Sequence, residues 1–403
     1  MKKGLKWVLG AIIVIALMLG SFVAGNRMAI STGDKVILNK SDYEVFAKAE
    51  DMKSVIDRYF LFDVDKNELK NGVYKGLFKG LNDPYSEYLT KEEFSSFMES
   101  TSGEYKGIGI FITVTEDNLI KVVSPIKDSP AFKAGIKPDD IIYSVNGEVY
   151  PGDRLNEATA IMKGKVGDKI NLVIKRKKTD ETYENIDLEV TVDNINLVTV
   201  DSKVIEDLGY IHISQFGEKT FDEFKENFED LKAKKVKGII LDLRNNPGGL
   251  KDTCVKIADY LLPEGPIVKT VDKNKKEEVD MSDNKEENFP MILLINGGSA
   301  SASEILAGAV KDYEKATIVG TNSFGKGIVQ TIAPAKNFGV DDDGAIKLTI
   351  QEYFTPKDKK IHKIGVKPDV EVELPEDVLN FGPDFLEEDS QLKEAIKILK
   401  EKL

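Results

Sequence analysis

The apolar run Phe289-Pro-Met-Ile-Leu-Leu-Ile295 stops at Gly297-Gly298 and gives way to a helical pattern carried by Glu304, Ile305, Leu306 and Ala307. A short continuous apolar run reads as a strand buried on both faces, and strands of that kind belong to parallel sheets connected by helices. The rhythm repeats through Gly238–Leu243, Cys254–Leu262, Met291–Ile295, Ala302–Asp312 and Ala316–Val319. A mostly parallel sheet with helices on its faces is therefore predicted. In such sheets the site lies at the carboxyl ends of the strands, which is where Ser299, Ser301 and Ser303 fall. A strand-to-helix turn aims backbone N–H groups and a positive dipole end at its occupant. It can also hold a hydroxyl where negative charge develops. The competing reading makes all three serines caps of a Gly-rich turn.

A serine nucleophile needs a base, usually histidine. Only His212 and His362 exist. The first lies in the alternating strand pattern YIHISQF and the second in the Lys-rich KDKKIHKIG, with no Ser, Asp or metal-ligand company, so both read as structural or solvated. Lys326 stands between two glycines in Ser323-Phe-Gly-Lys-Gly-Ile-Val-Gln330. Backbone walls around its stem would lower its pKa and leave a neutral amine able to accept a proton. Ser–Lys chemistry is a known variant of the triad logic.

GSASASEI followed by FGKGIVQ resembles the C-terminal processing peptidases, tail-specific serine proteases that carry a PDZ domain. The resemblance implies that Ser301, between two alanines and 25 residues before Lys326, is the nucleophile. It implies Lys326 as base, Gln330 as the residue orienting that lysine, and Ser299 and Ser303 as turn and cap residues. Leu241–Gly249 matches the family pattern L-D-L-R-x-N-x-G-G, and by resemblance the oxyanion donors are the N–H groups of Gly248 and Ala302, with Gly249 as the alternative to Gly248.

The chain has 403 residues and 41% hydrophobic content, enough for two or three folded units. A net charge of −13 argues against nucleic acid as the main partner. The single cysteine, Cys254, excludes an internal disulfide framework and a cysteine-based metal cluster, and reads as a packing residue. No cofactor and no metal site are expected. In Met1–Gly25, Lys2, Lys3 and Lys6 precede 19 uncharged residues, Trp7 to Gly25. That length just spans a hydrocarbon core of about 30 Å, and the charges place the N-terminus inside and the rest of the chain outside the cytoplasm. Residues 1–26 are expected to be an uncleaved membrane anchor, a signal peptide being the competitor.

Residues 35–100 read as a helical region: Val45, Ala49, Met52, Val55, Ile56, Tyr59 and Phe60 fall at helical spacing, and Thr90 caps a helix before Glu92 and Glu93. The run Asp83-Pro-Tyr-Ser-Glu-Tyr-Leu-Thr90 resembles one that precedes the PDZ domain in the family, some of whose members dimerise through their N-terminal helices. A homodimer and a simple cover for the protease core are the two readings.

Residues 104–190 turn β-rich. Gly107-Ile108-Gly109-Ile110 resembles the carboxylate-binding loop of PDZ domains, where converging backbone N–H groups take a peptide C-terminus and the next strand accepts that peptide as an added edge. Ser129–Gly135, Lys137–Ile142 and Val145-Asn-Gly147 follow in the order typical of the domain. Leu155–Lys163 would form the other groove wall, with Ala158, Ile161 and Met162 either selecting an apolar ligand terminus or filling the domain core. Where relatives often carry arginine, Lys163 stands, and lysine cannot reproduce a bidentate contact.

Residues 191–375 form the protease core, with Asp272–Asn288 a charged surface loop or hairpin, and residues 376–403 an acidic segment ending in a helix from Ser390. The expectation is a multidomain α/β serine endopeptidase acting on protein or peptide substrates with apolar C-termini. A catalytically silent PDZ scaffold is the alternative, and it has no need of Ser301, Lys326 and Gln330 together.

Overall fold

The computed structural model describes residues 40–178, 182–283, 285–375, 378 and 380–403. The expected membrane anchor lies outside the described residues; among them no helix is long and apolar enough to cross a membrane. The chain divides into two compact units, Met1–Tyr74 and Lys75–Leu403. In the first, helix α1 (Lys40–Tyr59) leaves Tyr43, Val45, Phe46, Met52 and Val55 exposed. Helix α2 (Lys66–Lys79) begins in the first unit and ends in the second.

The sequence pattern anticipates helices across Asp42–Met98, and the structure adds strand β1 (Glu87–Leu89) between them. Helix α3 (Lys91–Ser102) starts where expected: Thr90 accepts from the Glu93 N–H at 3.2 Å, and Glu93 accepts from the Thr90 N–H at 2.9 Å. Gly103, at φ 69°, ends it in the left-handed conformation.

The expected PDZ domain follows as β2 (Glu104–Gly107), β3 (Ile110–Val114), β4 (Ile120–Pro125), the single turn α4 (Pro130–Lys133), β5 (Ile141–Val145), β6 (Glu148–Val149), α5 (Leu155–Lys163), β7 (Lys169–Lys177), β8 (Tyr183–Thr191) and β9 (Asp193–Asn196). An antiparallel sheet runs β3-β4-β5-β7-β8 with β6 on β5, and β2 pairs with β9, closing the two ends of the domain together. Its core is built from Ile108, Ile120, Val122, Ile142, Leu172 and Ile174, with Ala158 and Met162 of α5.

The expected catalytic unit comprises β10 (Val200–Ile205), β11 (Leu208–Ile213), α6 (Thr220–Ala233), β12 (Ile239–Asp242), α7 (Lys251–Leu261), β13 (Gly265–Asp272), β14 (Glu277–Ser282), β15 (Met291–Ile295), α8 (Ala302–Asp312), β16 (Thr317–Gly320), β17 (Ile328–Pro334), β18 (Ala345–Phe354), β19 (Val370–Glu371) and α9 (Ser390–Lys402). The main sheet has the order β10-β11-β12-β15-β16-β19; β10 is antiparallel and the other pairs are parallel. Period-2 alternation puts Ile239, Leu241, Met291, Leu293 and Ile295 on one face, under α6, α7 and α8, and Ile240, Ile292 and Leu294 on the other, under Leu392, Ala395 and Leu399 of α9.

The expectation of a mostly parallel sheet needs extending, because the architecture is mixed. A second sheet is antiparallel, β1-β18-β13-β14 with β17 on β18. The charged excursion at Asp272–Asn288 is largely its β13–β14 hairpin. Antiparallel partners far apart in sequence, such as Glu87 and Lys347, leave no local periodicity from which to read them.

Candidate active site

Ser301 stands at the end of the β15-to-α8 turn, as the sequence rhythm predicts, in a backbone conformation of φ 55° and ψ −114°. Few non-glycine residues adopt it, and those that do cluster at functional sites. Hydrogen bonds around the serines hold the turn against the segment after β12. The Ser299 hydroxyl donates to the Leu243 carbonyl at 2.8 Å, the Ser303 hydroxyl to the Asn246 carbonyl at 2.9 Å, and the Ala300 N–H to the same carbonyl at 3.0 Å. Ser299 and Ser303 are fully buried by these contacts, whereas Ser301 keeps partial access to solvent. Beneath the turn the buried Cys254 thiol donates to the Ala302 carbonyl at 3.0 Å, and burial pushes its pKa up.

Lys326 and Gln330 come from the second sheet: Lys326 lies in the loop before β17, and Gln330 on β17 beside a register shift. The Lys326 ammonium donates to Gln330 Oε1 at 3.0 Å. Burial holds the pKa of this lysine below the ordinary range, and the charge of Lys347 adds to the effect, against Asp83 and Glu304. The Gln330 amide donates in turn to the Tyr85 carbonyl, and the Tyr85 ring lies 4.8 Å from Lys326 Nζ. Neither His212 nor His362 lines the cavity that Ser301 and Lys326 share.

One buried carboxylate joins the two loops. Glu304, in the first turn of α8 and fully buried, accepts from the N–H groups of Ser301 at 2.9 Å and Lys326 at 2.8 Å through Oε2. Its Oε1 accepts from the Ser323 hydroxyl and the Gly325 N–H, both at 2.6 Å. The buried Tyr353 hydroxyl shares its proton between the Ser301 carbonyl at 2.8 Å and the Lys326 carbonyl at 2.7 Å. Sequence reasoning missed both residues. Ser301-Ala-Ser-Glu304 had the spacing of a capping box, which was the available signal.

Gly248, at φ 103°, packs against the serine turn so closely that a Cβ there would lie 2.7 Å from the Ala300 oxygen and 2.8 Å from Ser301 Cβ. Its N–H donates to Asn246 Oδ1 at 2.9 Å. The Ala302 and Gly249 N–H groups meet no acceptor among the described residues. Ser301, Ala302, Lys326, Gln330, Gly248 and Gly249 all border one cavity of about 500 Å³, walled by apolar groups that include Phe97, Ile305 and Ile328.

The PDZ candidates divide. Gly107, Ile108 and Gly109 are buried, and the carbonyls of Ile108 and Gly109 accept from the N–H groups of Ala131 at 2.8 Å and Ile126 at 2.9 Å. The Ile108 side chain and Met162 fill the domain core, the second of the two sequence readings for Met162, while Ile110 and Ile161 are half-buried at its edge. Lys163 reaches out of the domain to Glu99 of α3 at 2.9 Å.

The sequence matches peptidase family S41 over residues 207–372, a PDZ domain over 107–188, and the N-terminal domain of the activating protease CtpB over 18–93. It is 38% identical to the carboxy-terminal-processing protease of Bartonella bacilliformis over 95% of this chain and 88% of that one. It is 39% identical to the carboxy-terminal processing protease CtpA of Bacillus subtilis over 90% and 76%. A solved structure from Bacteroides fragilis shares the fold with a TM-score of 0.52 at 16% identity, over 82% of this chain and 90% of that one. With relatives this similar over most of both lengths, the chain belongs to the carboxy-terminal processing proteases of peptidase family S41, serine-type peptidases with a PDZ domain.

Proposed function

We propose that Ser301 attacks a substrate peptide carbonyl while Lys326, its pKa lowered by burial, takes the serine proton when in its neutral form. The observation that carries this reading is one cavity holding a serine in a conformation rare for its type and a half-buried lysine whose ammonium is directed by Gln330. The tetrahedral oxyanion is received by the Ala302 N–H together with an N–H of the Gly248-Gly249 pair. Gly249 offers the uncommitted group, and Gly248 serves by releasing Asn246. Donors fixed in advance are worth about 2.7–4 kcal/mol each. Protonated Lys326 then gives its proton to the leaving amine, and water attacks the acyl-enzyme with Lys326 again as base.

The PDZ domain takes the substrate's C-terminus at the Gly107–Ile110 edge, and the protease acts outside the cytoplasm, tethered by Met1–Gly25. Support for the location is the charge-flanked apolar run, and separating membrane from soluble fractions tests it. For the chemistry, the soluble fragment from Ser31 onward, as wild type and Ser301→Ala, is incubated with an unfolded protein bearing an apolar C-terminus, and products are read by mass spectrometry. Cleavage by the wild type alone is expected. Equal cleavage by both removes Ser301 from the mechanism.

A further inference from the structure

We propose that the Asp83-Pro84-Tyr85-Ser86 turn is a positioning element for the catalytic lysine, with Tyr85 fixing Gln330 through its carbonyl and covering the Lys326 ammonium with its ring. The inference rests on the Ser–Lys reading above and adds to it a segment that lies outside the PDZ and S41 matches and within the N-terminal domain match over residues 18–93.

A glutamine side chain can present either its oxygen or its NH₂ to a neighbour, and only the oxygen is of use to an ammonium. The Gln330 Nε2 donates to the Tyr85 carbonyl, so its Oε1 must face Lys326, which it does at 3.0 Å. Without that carbonyl the amide is free to turn its donors to the lysine. The ring of Tyr85, 4.8 Å from Lys326 Nζ, occupies space that water would otherwise take.

The turn itself is firmly built. The Tyr85 N–H donates to Asp83 Oδ1 at 3.1 Å, and the buried Ser86 hydroxyl donates to Asp83 Oδ2 at 2.6 Å while accepting from the Thr349 N–H at 3.0 Å. Immediately after it, β1 pairs with β18 in the register Glu87 to Lys347 and Tyr88 to Ile346, and β18 also pairs with β17, the strand of Gln330. The turn is thus locked to the sheet that carries the residue it orients.

Every charged group around Lys326 bears on the test. Lys347 of β18 disfavours the ammonium; Asp83 of the turn and Glu304 of α8 favour it; His362 lies within reach of Asp83; and the buried Tyr353 hydroxyl is held by the Lys326 carbonyl. Removing the ring admits water to the ammonium, which raises its pKa, and removes a ring-face attraction, which lowers it. Hydration is the larger effect on a half-buried lysine.

The experiment measures kcat/KM against pH for the full chain in detergent as wild type, Tyr85→Phe, Tyr85→Ala and Ser86→Ala, with Ser301→Ala alongside. In Tyr85→Ala the limb that rises with pH is expected to move up by about one pH unit, with roughly tenfold lower activity at neutral pH that recovers in alkali. Tyr85→Phe keeps the ring and keeps the wild-type profile. If Tyr85→Ala does not fold, Ser86→Ala, which loosens the turn at one hydroxyl, carries the test with the same direction of movement. A limb that stays in place, whether activity is kept or lost, overturns the role of the turn. Cleavage by Ser301→Ala would instead overturn the Ser–Lys reading itself, so the two failures are distinct.

Discussion

Glu304 has no cation among its four hydrogen-bond partners; all are N–H or O–H donors. One, the Ser301 N–H, is on the serine side and three lie on the loop that carries Lys326, so the carboxylate sets the spacing between the two residues. Glu304→Gln places an NH₂ group against N–H donors, and each N–H left unsatisfied costs about 1–3 kcal/mol. We expect peptidase activity to fall on the order of 100-fold, the effect of an ångström of misplacement at a reacting pair, with a lowered melting temperature. Wild-type cleavage rates in this variant would deny Glu304 the role. The sequence motif already displayed Ser301, Lys326 and Gln330, because the dyad and its partner lie in two short glycine-rich segments. Tyr353 and Tyr85 were not legible: Tyr353 meets the Ser301 carbonyl across 52 residues and Tyr85 meets Gln330 across 245, distances over which no local pattern speaks.

Among the elements, α3 has a position the sequence did not disclose. Its last turns, through Phe97, Met98, Ser100 and Thr101, form a wall of the active-site cavity, and Glu99 takes the Lys163 ammonium from the PDZ helix. The same helix is fixed to the protease core where Gln215 Nε2 donates to the Ser100 carbonyl at 3.3 Å. Thr90 begins it. Thr90→Ala removes one side of the capping box and is expected to cost about 1 kcal/mol, read as a lower unfolding midpoint in urea; an unchanged midpoint would show that tertiary contacts alone hold the helix. Elements with strong local signals were read well from sequence. Helix Leu155–Lys163 and the strand over Met291–Ile295 occur with the expected bounds. Of the antiparallel sheet the sequence shows only a charged loop or hairpin at Asp272–Asn288, because the rest is pairing between β1, β18 and β13.

At the scale of the whole molecule, the C-terminal segment reaches under the glycine pair through one buried arginine. Arg244, fully enclosed, donates to Asp242 at 2.6 Å, to both oxygens of Asp389 at 2.9 Å and to Gln391 Oε1 at 3.0 Å, with the Phe381 ring 4.3 Å from its guanidinium carbon. Five residues after Arg244 along the chain, Gly249 faces the cavity. Asp389→Asn leaves Arg244 its Asp242 partner but weakens the charge-assisted bonds that tie the C-terminal segment to it, and is expected to cost about 2 kcal/mol. Burial raises the Asp389 pKa, but the Arg244 guanidinium outweighs it and holds the carboxyl below its usual value. A depressed carboxylate contributes stability that is present above its unfolded pKa, near 4, and fades as pH falls through the folded value. The melting temperature of the wild type should therefore drop below about pH 4, and that of Asp389→Asn should drop less; parallel curves would locate the acid sensitivity elsewhere.

The backbone of Ser301, at φ 55° and ψ −114°, is one that glycine enters freely and serine enters only when its surroundings insist. A chain selected for endurance alone would hold glycine there and would carry no hydroxyl to attack with. Engineering guided purely by thermal resistance would thus meet its most tempting improvement at the one atom the proposed reaction cannot lose. In this protein, robustness and turnover compete for a single residue.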